Sequence, residues 1–154
     1  EIDQSLVDYD LGQGQLSDAK KRKAIEDYAM VKAYLHYRSE GYNVEDTSAT
    51  KPYDLVCSKH DEEVRVEVKG TQLEPDAITL TKGEVDHAHT YEGRVDLFIM
   101  YDIDVTDANG KSGYECQGGT AALIGNWCPD EHDLIATQYK YCIPSIQLQR
   151  LNMA

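Results

Sequence analysis

Three residues in one stretch of the sequence carry the side chains that phosphodiester hydrolysis requires. Asp54 precedes a short apolar run, and Glu67 and Lys69 follow in the run Val64 to Lys69. Two carboxylates held close together repel each other, and a divalent cation with a preference for hard oxygen ligands, such as Mg²⁺, removes that repulsion. The cation polarises a phosphoryl oxygen and activates water, while a lysine orients that water or balances developing charge. The pattern therefore predicts a site for phosphate-ester chemistry.

A β-hairpin is the element that would bring these residues together. The valines of Val64 to Lys69 alternate with polar residues, so the valines should point into a core, with Glu67 and Lys69 on the opposite face. The polar, turn-like residues Lys59 to Glu62 separate two short apolar runs, which is typical of a hairpin. The first strand would place Asp54 close to Glu67 and Lys69. The alternative is an ordinary amphipathic strand with a solvated face, and the flanking sequence favours the site.

The same residues carry a family resemblance. Asp54 followed by Glu67-Val68-Lys69 resembles the signature of the PD-(D/E)xK nuclease superfamily, with Tyr53 where many members have proline. The flanking segments are, in chain order, an Ile25-Glu26 helix, Gly41-Tyr-Asn-Val, Val-Lys-Gly-Thr-Gln after the hairpin, and Leu80-Thr-Lys-Gly-Glu84 at the next helix. This ordered set, from about Arg22 to Asp102, resembles the C-terminal domain of NO VEIN-like proteins, an Mrr-like branch of the superfamily.

The resemblance implies a restriction endonuclease-like core and a role for each signature residue. Asp54 and Glu67 would hold Mg²⁺ or Mn²⁺, with the backbone carbonyl of Val68 as a further ligand. Lys69 would position or activate the attacking water.

The resemblance also implies two assisting residues. Glu26, on the first helix, would be an extra metal ligand, and Gln72 would contact a phosphate or orient a water. The ordinary alternatives are a surface helix carboxylate for Glu26 and a polar strand end for Gln72. Glu84 completes a capping box with Thr81, and that role competes with any role at the substrate. His87 and His89 point away from each other on a helix and are interpreted as surface or packing residues.

The remaining elements predict the architecture. A helix should begin at Ser17 or Asp18 and end at Gly41, with an apolar stripe formed by Ala24, Tyr28, Val31 and Leu35. Strands are expected over 42–47, 95–102, 114–124 and 134–143, and a short helix over 145–154. The continuous apolar run from Val95 is typical of a central strand buried on both faces. The fold class is therefore α/β, a three-layer sandwich with a central mixed sheet flanked by helices.

Composition sets the context. The 154 residues suffice for one domain, expected over 17–154 after an N-terminal arm or linker over 1–16, within a longer protein. The net charge of −13 opposes nonspecific DNA binding. A salt-loving organism, or other domains that hold the nucleic acid, would remove that conflict. Four widely spaced cysteines without zinc-site spacing, and no targeting or membrane segment, predict a reduced, cytoplasmic protein.

These observations predict a metal-dependent nuclease domain acting on nucleic acid, with DNA as the first expectation, in restriction or defence. Other domains or subunits such as an ATPase or helicase are expected partners, and a homodimer would supply the two active sites that double-strand cutting usually needs. Two alternatives stay open. One is a catalytically inactive nuclease-fold module that binds nucleic acid or protein, and the other is a metal-dependent hydrolase of small phosphates.

Overall fold

A five-stranded mixed sheet forms the centre of the molecule, in the order β1-β2-β3-β4-β5. The computed structural model describes residues 4–108 and 113–153, with side chains from residue 18 onward except that of residue 147. The elements are α1 (Gln4–Ser39), β1 (Asn43–Asp46), β2 (Leu55–Lys59), β3 (Glu62–Gly70), α2 (Lys82–Thr90), β4 (Arg94–Asp107) and β5 (Tyr114–Ile124), followed by short 3₁₀ turns over Glu131–Asp133 and Ser145–Gln147.

The predicted hairpin is confirmed. Strands β2 and β3 pair in antiparallel fashion, with Leu55 opposite Val66 and Cys57 opposite Val64. Val64 and Val66 are completely buried, as alternation predicts for the core face of a strand. All four cysteines are free, and Cys57 is buried in this core.

Strand β4 occupies the centre of the sheet. It runs parallel to β3 and antiparallel to β5, which makes the sheet mixed. Residues 95–100 are all buried, so the expectation of burial on both faces is confirmed. The parallel pair requires a crossover connection, and α2 lies within that connection.

Helix α1 covers the face of the sheet that carries the valines. Its buried positions are Ala29, Ala33 and Tyr37, one turn apart along one side of the helix. Close packing requires Gly70 on β3, because a Cβ there would lie 3.0 Å from side-chain atoms of both Ile25 and Ala29. The helix ends before Gly41, whose φ of +90° suits a residue without a Cβ.

Two predictions about α1 are wrong. The helix does not begin at Ser17 or Asp18, because it already runs from Gln4. The predicted apolar stripe is wrong at two of its four positions, since Val31 and Leu35 are each 55% exposed, whereas Tyr28 packs against the core. Small alanines face the sheet instead, because they allow the helix to approach β3 closely. The division into an arm over 1–16 and a domain over 17–154 stays a prediction, and residues 1–3 lie outside the described residues.

Helix α2 lies on the opposite face of the sheet. It begins with the predicted capping box, in which Thr81 Oγ1 accepts from the Glu84 N–H and Glu84 accepts from the Thr81 N–H. Its Glu84 contacts Lys69, which points away from the α1 side of β3. With α1 and α2 on opposite faces, the molecule is an α/β sandwich of three layers, as predicted.

The prediction for the last part of the chain is wrong. Residues 134–143, expected to form a final strand, lie outside any helix or strand. Of the predicted helix over 145–154, the described residues 145–153 contribute only the turn Ser145–Gln147. Large apolar side chains in this segment, such as Ile135 and Tyr139, are exposed. Among the described helices, none has the length and apolar character needed to cross a membrane.

Candidate active site

Asp54 is fixed by its backbone at the point where β2 begins. Its N–H donates to the carbonyl of Val66 at 2.9 Å, and its own carbonyl accepts from the N–H of Thr47 at 2.8 Å. Its carboxylate Oδ2 accepts from the N–H of Val68 at 2.8 Å. The hairpin therefore delivers this carboxylate to the middle of the Glu67-Val68-Lys69 signature.

Glu67 and Lys69 face the same side of β3, as predicted. Glu67 is a charged residue inside the protein, with only 3% of its surface exposed, so the interpretation as an ordinary solvated strand face does not hold for it. Lys69 Nζ lies 2.9 Å from Glu67 Oε1. The orientation of that contact does not satisfy a hydrogen bond, and this buried oxygen has no hydrogen-bond partner among the described residues.

Glu84 is the residue whose position the sequence did not settle. Lys69 Nζ donates to Glu84 Oε2 at 3.0 Å, and the N–H of Thr81 donates to the same oxygen at 2.8 Å. One carboxylate thus caps α2 and holds the lysine of the signature. The capping box was the available signal for the position of Glu84, and its contact with Lys69 was not predicted. Whether Glu84 also acts at the substrate is untested by this geometry.

The electrostatics of the site follow from burial of like charges. Burial and the nearby charge of Asp54 raise the pKa of Glu67 to about 8. Burial also raises the pKa of Asp54, against the effects of the Val68 N–H and the Lys69 charge. Burial alone would lower the pKa of Lys69, but Glu67 and Glu84 outweigh it and raise that pKa above its usual value. The lysine is therefore charged, while Glu67 holds a proton at neutral pH.

The structure places the remaining predicted site residues less closely. The Val68 carbonyl points to the same side of β3 as the Val68 N–H, toward Asp54, because both groups of one strand residue face the same neighbour. Gln72 is partly buried in the loop after β3. Glu26 is exposed on α1, and its side chain makes no hydrogen bond or ion pair with the described residues. Asp54, Glu67 and Lys69 are brought together, whereas no hydrogen bond or ion pair among the described residues links Glu26 or Gln72 to them.

The donor set suits a hard cation better than a soft one. Asp54, Glu67 and the Val68 carbonyl offer only oxygen, and Mg²⁺ is typically held by one or two carboxylates together with waters. No set of three or more His, Cys, Asp or Glu residues in the described ranges has the arrangement of a metal cage. That result disfavours a zinc-type site built entirely from protein ligands. It is compatible with a Mg²⁺ or Mn²⁺ site in which water completes the coordination.

Comparison with known proteins identifies the family but little beyond it. The family model described as "Protein NO VEIN, C-terminal" matches residues 25–111, which is more than half of the chain. The matched range contains the hairpin, α2 and all of β4, and therefore every residue of the candidate site. No curated protein and no solved structure matches the chain. The chain belongs to the family of the NO VEIN C-terminal domain.

Proposed function

We propose that this chain is a metal-dependent nuclease domain that hydrolyses phosphodiester bonds, with DNA as the first substrate to test. One observation carries the proposal. The Lys69 ammonium contacts the carboxylates of Glu67 and Glu84, and its charge also acts on a third carboxylate, that of Asp54. Full ionisation leaves two negative charges uncompensated in a partly buried site, which is the charge that one divalent cation balances.

Each residue has a role that its position supports. Asp54 and Glu67 would hold Mg²⁺ or Mn²⁺, with the Val68 carbonyl directed to the same side. The bound cation supplies Lewis-acid polarisation of a phosphoryl oxygen and lowers the pKa of water. Lys69, held by Glu84, keeps its ammonium beside Glu67, where it can orient the attacking water or stabilise charge on the phosphate. Assistance from Glu26 and Gln72 is a further part of the proposal and would require contacts through metal, water or substrate.

The acidic surface shapes the conditions for activity. A net charge of −13 repels a polyanion at low salt, and screening shortens that repulsion as salt rises. We propose that nucleic acid reaches the site either when added salt screens this repulsion or when basic surfaces on an attached ATPase or helicase domain bind it. A role in restriction or defence would suit a longer protein in which one domain binds the nucleic acid and this domain cuts it.

The test is cleavage of plasmid and single-stranded DNA with Mg²⁺ or Mn²⁺ over a wide range of salt. Wild type is compared with Asp54→Asn and Lys69→Ala. Matched controls are Asp104→Asn and Lys140→Ala, which change the same residue types at exposed positions away from the site. The proposal predicts metal-dependent cleavage that both site variants lose and both controls keep.

Other outcomes favour the alternatives. Metal-dependent hydrolysis of a small phosphate ester, with polymeric DNA and RNA left intact, would favour a phosphatase that uses the same carboxylates. Binding of nucleic acid without cleavage at any salt, and without metal bound at Asp54 and Glu67, would favour an inactive binding module.

A further inference from the structure

Four side chains form a stacked cluster on the same face of the sheet as the candidate site. The ring of His87 lies 4.7 Å from that of Tyr53 and 5.3 Å from that of Tyr91, measured between centroids. The guanidinium carbon of Arg65 lies 4.6 Å from the centroid of Tyr53 and 3.7 Å from that of Tyr91. We call these residues the Arg65 cluster.

The residues of the Arg65 cluster are close in sequence to residues of the candidate site. Tyr53 immediately precedes Asp54, and His87 follows Glu84 by about one turn of α2. Arg65 and Glu67 share one face of β3, so their Cα atoms are about 7 Å apart. A strand of nucleic acid with one phosphate at Asp54 and Glu67 would therefore place a neighbouring phosphate or sugar near the cluster.

Arg65 presents unused donors in a fixed plane. Its Nε contacts Glu63 Oε1 at 3.3 Å, and the Tyr91 hydroxyl donates to the same oxygen at 3.1 Å. Its two terminal nitrogens make no hydrogen bond with the described residues, and its side chain is 25% exposed. Stacking on two tyrosines fixes the plane of the guanidinium, and a planar fork of N–H groups matches a phosphate in bidentate fashion.

Glu63 is the competing group. Its carboxylate offsets part of the Arg65 charge, but its side chain is 49% exposed, so the contact is screened by water. A phosphate approaching the terminal nitrogens therefore does not have to displace Glu63 from Nε.

His87 provides a second, independent observation. Its Nε2 is buried and has no hydrogen-bond partner among the described residues. A buried polar atom without a partner costs free energy, and a phosphate oxygen recovers that cost when a small side-chain shift in the cluster opens access to Nε2. The ring is held by stacking on both sides, so Nε2 keeps its direction without that partner.

We propose that Arg65 and His87 form a phosphate subsite beside the reacting bond, with Tyr53 and Tyr91 holding the guanidinium and imidazole in place. The ligand class is a non-bridging phosphate oxygen of a nucleic-acid strand, one nucleotide from the bond that is cut. The inference rests on the proposed nuclease function for the identity of the strand. The Nε2–H tautomer of His87 and the terminal nitrogens of Arg65 donate to the phosphate.

The experiment measures binding without cleavage, so that it is separate from the nuclease test. Fluorescently labelled oligothymidylate is titrated with the chain of residues 1–154 in a metal chelator at several salt concentrations, and anisotropy reports the Kd. Arg65→Lys keeps the charge but loses the fork, Arg65→Ala loses both, and His87→Phe keeps a stacking ring without Nε2. Arg150→Ala, at an exposed position in the C-terminal segment, is the matched control. Thermal unfolding of each variant confirms that it is folded.

The expected result is a Kd about tenfold weaker for Arg65→Lys and His87→Phe, as loss of charge-assisted hydrogen bonds implies. Arg65→Ala should also reduce the slope of log Kd against log salt by about 0.7, the value for one contact on a single strand. Wild-type affinity in the Arg65 and His87 variants overturns the subsite even if metal-dependent cleavage is found. Weakened binding in these variants without any cleavage supports the subsite and rejects the nuclease. A wild type that does not bind the oligonucleotide at any salt also overturns it.

Discussion

Replacing Glu67 by glutamine should stabilise the metal-free protein, although Glu67 is central to the proposed activity. Burial and the Asp54 charge raise its pKa from 4.5 to about 8. Since one pKa unit corresponds to about 1.4 kcal/mol, ionising Glu67 costs the folded state at most about 5 kcal/mol. Glutamine keeps the shape and removes that cost, while Lys69 retains Glu84 as its partner.

The pH dependence has a definite sign. The unfolded chain releases the Glu67 proton near pH 4.5, whereas the folded protein retains it up to about pH 8. Stability is therefore highest below the unfolded pKa and is lost as pH rises through this window, by about 1.4 kcal/mol for each pH unit. Above the window the loss is complete and constant.

Urea denaturation in a metal chelator across this pH range tests the argument. The free energy of unfolding of wild type should fall relative to that of Glu67→Gln, and the gap should be widest above pH 8 and close to zero below pH 4.5. Glu45→Gln, at an exposed position on β1, should follow wild type. Parallel curves for wild type and Glu67→Gln would refute the claim that a strained, buried carboxylate lies in this site.

Three further predictions follow from the same geometry. Mn²⁺ should raise the melting temperature of wild type but not that of Asp54→Asn. Because Mn²⁺ binding displaces the Glu67 proton, the Mn²⁺ affinity should increase up to tenfold per pH unit below about pH 8. An affinity that does not change with pH would contradict this displacement. Gly70→Val should destabilise the fold by about 1–3 kcal/mol in urea, because its Cβ would meet α1 at 3.0 Å, whereas Gly113→Val, with open space, should not. Asp96→Ala should lower the free energy of unfolding by about 3–5 kcal/mol in the same assay, because the buried carboxylate binds Arg94, the Tyr37 hydroxyl and the Asn126 N–H. A loss below about 1 kcal/mol would show that this hydrogen-bond network contributes little to stability.

The hairpin and its signature could be predicted because they depend on local pattern. The alternation of valines with polar residues predicts which residues of β3 face the core, and the short polar turn predicts that β3 pairs with β2. The capping box of α2 was equally local. The contact between Glu84 and Lys69 could not be derived in this way, because it depends on where the crossover helix packs on the sheet.

The errors also have physical causes. Apolar spacing selected the larger Val31 and Leu35 for the buried face of α1, but the helix approaches Gly70 closely at the small Ala29 and buries Ala29 and Ala33 instead. Tyrosines and β-branched residues predicted a strand over 134–143, yet a strand also needs a neighbour to pair with. In the described sheet β5 is an edge strand, and this segment does not pair with it.

Diffraction from crystals containing Mn²⁺, recorded at a wavelength where manganese scatters anomalously, would locate the metal directly. We expect an anomalous peak within coordination distance of carboxylate oxygens of both Asp54 and Glu67, with Lys69 close by and the Val68 carbonyl facing the ion. A peak elsewhere on the acidic surface, with no density between these two carboxylates at a pH above 8, would contradict it.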